Sequence, residues 1–91
     1  MTPHDDETLR LLREGRELAV ALLTCHLQGD RQGEHATFQQ AIADPDRALA
    51  AMGILTALAA EAIKSIAANA GREPETVLQD FAITIAQDEA R

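Results

Sequence analysis

DPDRALAAMGILTALAAEAIKSIAANAG, residues Asp44 to Gly71, is the stretch whose reading decides the fold. Asp44 is placed to cap free helical amides, and Pro45 falls at the first helical position, where its missing N–H costs nothing. Gly71 suits the left-handed conformation that stops a helix. Between Ala48 and Ala60 the only polar side chain is Thr56. A helix that is apolar all round has to be surrounded by protein, so this segment is expected to be the spine of the molecule. Its core stripe reads as Ala48, Met52, Leu55, Ala59, Ile63, Ile66 and Ala70. On the other side Ala50, Gly53, Ile54 and Ala57 form a small-residue surface suited to close approach of another helix, which a larger side chain at Gly53 would overfill.

Working outward, a long helix is expected at about 3–28, with Thr2 as its cap, Pro3 as its first residue and Asp5 in the capping-box position. Leu11, Leu12, Gly15, Leu18, Ala19, Leu22 and His26 share its inner face, and Arg10, Arg13, Glu14 and Glu17 form i,i+4 pairs on its wet side. Leu9, Val20 and Leu27 make a second apolar line off that face. Gly29-Asp30 breaks the chain. A short helix at about 31–43 follows, with Phe38, Ala41 and Ile42 as its apolar side. After the spine at about 45–70, Pro74 opens a last helix to about Asp88. There Val77, Leu78, Phe81, Ala82 and Ile85 face inward and Ile83 outward. The expectation is an all-α single domain over 1–91. It is a compact long-short-long-medium bundle of antiparallel hairpins, standing alone or interlocked with a second copy.

Composition narrows the role. The 91 residues carry a net charge of −7, with no Trp, no Tyr and two Phe. At about 25 cal/mol per Å² of buried apolar surface, a core made so largely of Ala barely offsets chain entropy, and self-association is an ordinary remedy. The acidic balance opposes direct contact with nucleic acid or anionic membrane. The Ala48–Ala60 run falls short of the roughly 20 apolar residues that span a bilayer. An acidic N-terminus offers no signal peptide, and one cysteine offers no intramolecular disulfide. A cytoplasmic protein is expected. The preference for Arg over Lys, with so much Ala, points to a GC-rich bacterial genome.

Cys25, His26 and His35 come nearest to a ligand set. Zinc needs three or four donors in tetrahedral reach, and adjacent helical residues diverge by about 100°. The expected state is two neutral, partly buried histidines hydrogen-bonded near the turn, with no metal and no cofactor. No nucleophile has a base beside it, so no enzymatic activity is expected. A helix-turn-helix reading fails because its second helix would be the most hydrophobic one. What remains is surface: Leu9, Val20, Leu27, Ala50, Gly53, Ile54, Ala57 and Ile83. These suit a protein-interaction module, homodimeric, acting as an adaptor or regulator by helix packing. Two other readings stand beside it: an acidic inhibitor that mimics nucleic acid in a partner's site, and a minor metal or small-ligand binder using His26 and His35.

Overall fold

The computed structural model describes residues 3–89, with side chains from Asp6 onward. The expected cap Thr2 and the side chains of His4 and Asp5 lie outside the described residues. The fold is all-α: α1 (Pro3–Leu27), α2 (Arg31–Ile42), α3 (Pro45–Ala70) and α4 (Pro74–Glu89), with no strand among the described residues.

The helix ends follow from the residues placed there. Gly29, at φ 71°, and Gly71, at φ 66°, take the left-handed conformation. Each lets the next amide reach back into the finished helix. Asp30 N donates to Cys25 O at 2.9 Å and Arg72 N to Ala67 O at 2.9 Å, the six-to-one bond of a Schellman stop. Asp30 then starts α2, its carboxylate accepting from Gly33 N at 2.9 Å. Asp44 does the same for α3, accepting from Asp46 N at 3.1 Å, with Pro45 as the first helical residue. For α4 the backbone carbonyl of Glu73 takes the amides of Thr76 and Val77.

The chain divides into two compact units, Met1–Thr56 and Ala57–Arg91, and the division falls inside α3. In the first unit, Leu18, Ala19 and Leu22 of α1, Ala41 of α2 and Ala51 of α3 are buried. Gly15 decides how closely α1 and α3 approach. A Cβ there would stand 2.8 Å from Ala50 Cβ and 2.9 Å from Ala51 N, so the two backbones meet where only a hydrogen fits. The close contact expected at Gly53 is therefore at Gly15 instead; a Cβ on Gly53 would meet nothing within 4 Å.

In the second unit, the last half of α3 and α4 bury only Ala67 and Val77. Arg72 Nη2 and Asp80 Oδ2, 2.6 Å apart, tie the connecting turn to α4.

Of the core stripe expected on α3, Ala48, Leu55 and Ile63 are half-buried and the rest is exposed. Ala51 is the buried residue of the first half and Ala67 of the second. At 100° per residue these two lie about 160° apart on the helix surface. A stripe through Met52, Ala59 and Ile66 runs midway between them, which is why Met52, Ala59, Ile66 and Ala70 are exposed. The helix is apolar all round because its two halves bury different faces, not because it is wrapped. Similar corrections apply elsewhere: Leu12 and His26 of α1, Phe38 and Ile42 of α2, and Leu78, Phe81, Ala82 and Ile85 of α4 are exposed.

Candidate interaction surface

Leu9, Val20 and Leu27 are all exposed, Leu27 at 85%. Leu12 and Leu23 are exposed too, and the five side chains fall within an arc of about 80° along α1. This outer stripe is centred about 130° from the buried Leu18–Leu22 face, so α1 carries two apolar faces and the first unit covers one. Leu12 belongs to the outer stripe rather than the core, and Leu23 was legible at i+3 from Val20 and i−4 from Leu27. Arg16 stands within the stripe and Arg13 at its edge. At the N-terminal end, Leu9, Leu12, Arg13 and Arg16 join Ile54 of α3 around a groove of 480 Å³.

The expected α3 surface divides. Ala50 is half-buried against Gly15. Ile54 lines the groove, while Gly53 and Ala57 are open to water. In the second unit Ile83 is exposed on one side of α4. On the other side Leu78, Phe81 and Ile85 form a larger exposed face at i, i+3 and i+7. Helical spacing showed that this face is apolar but not that it is left uncovered.

Charge is arranged locally. Arg10 bridges Glu7 and Glu14, and Glu14 reaches across to Arg47 of α3, whose other partner is Asp44. The hydrogen bond from Arg10 holds the Glu7 carboxyl below its usual range, and the same contact raises Arg10. Arg47 Nε is buried without a well-directed hydrogen bond, so its 3.4 Å approach to Glu14 Oε2 is a charge contact only. Of these acids Glu14 alone reaches across the α1–α3 contact.

His26 and His35 do not meet as a ligand pair. His26 Nδ1 lies 3.2 Å from Glu34 Oε1 across the turn, and the Gln39 amide donates to His35 Nε2 at 3.0 Å. Both histidines are exposed rather than partly buried. Cys25 is half-buried on a different side of α1. Among the described residues no three His, Cys, Asp or Glu side chains gather as a metal site.

One property of α3 was not foreseen. The Ala48–Ala60 run is short, but across Glu61 and Lys64 the helix holds an 18-residue window of mean hydropathy 1.6, only 6% of it buried, enough by length and composition to cross a membrane. No protein-family model, curated protein or solved structure matches the chain.

Proposed function

We propose that this chain is a non-enzymatic helical interaction module that works by self-association, as a cytoplasmic adaptor or regulator. The supporting observation is uncovered apolar surface. The chain exposes 6983 Å², whereas a folded monomer of 9.8 kDa exposes about 5,200 Å². Even two separate globules the size of its units would expose only about 6,200 Å². Against that two-unit reference the excess is about 800 Å², about what each partner contributes to a stable interface. Leucines, isoleucines and phenylalanines are prominent among the exposed large side chains, and burying each is worth about 1.5–3 kcal/mol.

A lipid bilayer is the poorer cover for α3. Its six Leu and Ile residues gain about 3 kcal/mol on insertion, while Glu61 and Lys64 near mid-helix cost about 5 kcal/mol or more. A protein surface tolerates Glu61 and Lys64 at its rim, where they already pair at 3.6 Å.

Size-exclusion chromatography with light scattering tests the proposal. A dimer or higher assembly at 10 µM is expected, to the order of magnitude typical of interfaces this large. A monomer at ~100 µM refutes it.

A further inference from the structure

We infer that the occupant of the Leu9–Leu12–Ile54 groove is helix α4 of a second copy of this chain, each copy placing its α4 in the other's groove. This rests on the self-association proposed above and names the surfaces that meet.

Chemistry matches the two surfaces. The groove is lined by three apolar side chains and two arginines, Arg13 and Arg16, with no acid. Helix α4 carries four acids and no Lys or Arg. Its exposed face, Leu78, Phe81 and Ile85, is flanked by Asp88 on one edge and Glu89 on the other, at about 160° and 260° around the helix when the apolar face spans 180–240°. Laid in the groove, that face sets apolar groups on apolar groups and brings carboxylates to the arginine rim. Pairing α1 with α1 instead would bring like-charged Arg16 side chains together. Each copy owns one groove and one α4, so reciprocal exchange about a two-fold axis gives a dimer with no free groove, whereas head-to-tail docking of the same surfaces would give a ring or a filament.

Charge exchange tests the pairing. In one variant Arg13→Glu and Arg16→Glu make the groove acidic; in a second, Asp88→Arg and Glu89→Arg make α4 basic. All four positions are exposed. Each variant alone is expected to dimerise at least tenfold more weakly than wild type. In an equimolar mixture every groove meets an α4 of opposite charge, and native mass spectrometry is expected to show the mixed dimer recovering wild-type affinity. If circular dichroism shows lost helicity in either variant, the neutral set Arg13→Gln/Arg16→Gln and Asp88→Asn/Glu89→Gln replaces it, with about a threefold weakening expected for each. A dimeric wild type whose variants dimerise normally, or whose mixture forms no mixed dimer, overturns this pairing and leaves self-association standing. So does a monomeric quadruple charge-exchange variant of wild-type stability, since every groove there still meets an α4 of opposite charge. A monomeric wild type overturns both.

Discussion

Leu18, Ala19, Leu22, Ala41 and Ala51 leave water in the first unit; among the described residues of the second only Ala67 and Val77 do. Both units are made of helices with similar periodicity, and the difference is geometric. The first has three helical segments, so α1 and α2 both lie against the start of α3, and Gly15 lets backbones approach where the side chains are mostly methyl groups. The second has two segments, and two helices pressed together leave most of each perimeter in water. Leu78, Phe81 and Ile85 are as apolar as the residues buried in the first unit, and they are exposed for want of a third neighbour. An apolar face predicts burial only when the chain supplies something to bury it against.

The comparison breaks most sharply at Gly15. Gly15→Leu is expected to cost about 3 kcal/mol or more, because the contacts at 2.9 Å are to α3 backbone and cannot turn aside. Urea unfolding measures this, and a midpoint near wild type would mean that α1 and α3 are not in such close contact. Asp30→Ala, which removes the α2 cap, is expected to cost about 1 kcal/mol in the same assay. The same leucine at Gly53 should act in the opposite direction. With nothing within 4 Å, Gly53→Leu is expected to leave stability unchanged or raise it by up to about 1 kcal/mol through helix propensity. A loss there would show that this face is covered.

In the second unit the exposed Arg72–Asp80 pair should matter little: Arg72→Ala is expected to shift stability by less than about 0.5 kcal/mol, lost in high salt. The smallest effect is at Glu7. Its carboxyl titrates below the usual range in the folded chain, so its contribution is complete above the unfolded value and disappears as acid takes pH down through the folded one. Glu7→Gln should therefore differ from wild type at neutral pH and converge with it in acid, as thermal melts across that range would show. A difference that persists in acid would mean that Glu7 acts through something other than its charge.

Much of the architecture was legible because it is written locally. Asp30, Asp44, Gly29, Gly71, Pro45 and Pro74 punctuate the chain by backbone geometry that needs no distant partner, and the observed helix ends agree with those expected to within a residue or so. The outer line of α1 was legible too, since three residues at one helical angle cannot all belong to an inner face elsewhere. Assignment of the faces was less so. One stripe drawn along α3 averaged two, and Gly53 was given the role that Gly15 has.

The sequence by itself determined four helices, their ends, the acidic charge of the chain and the excess of apolar side chains, because capping, periodicity and composition act within a few residues. Only the tertiary structure decided which apolar faces are used: which glycine meets a neighbouring backbone, where α3 changes its buried side, and that α4 is left open. Those depend on how many helices stand beside a given face, and no single helix carries that number in its own residues.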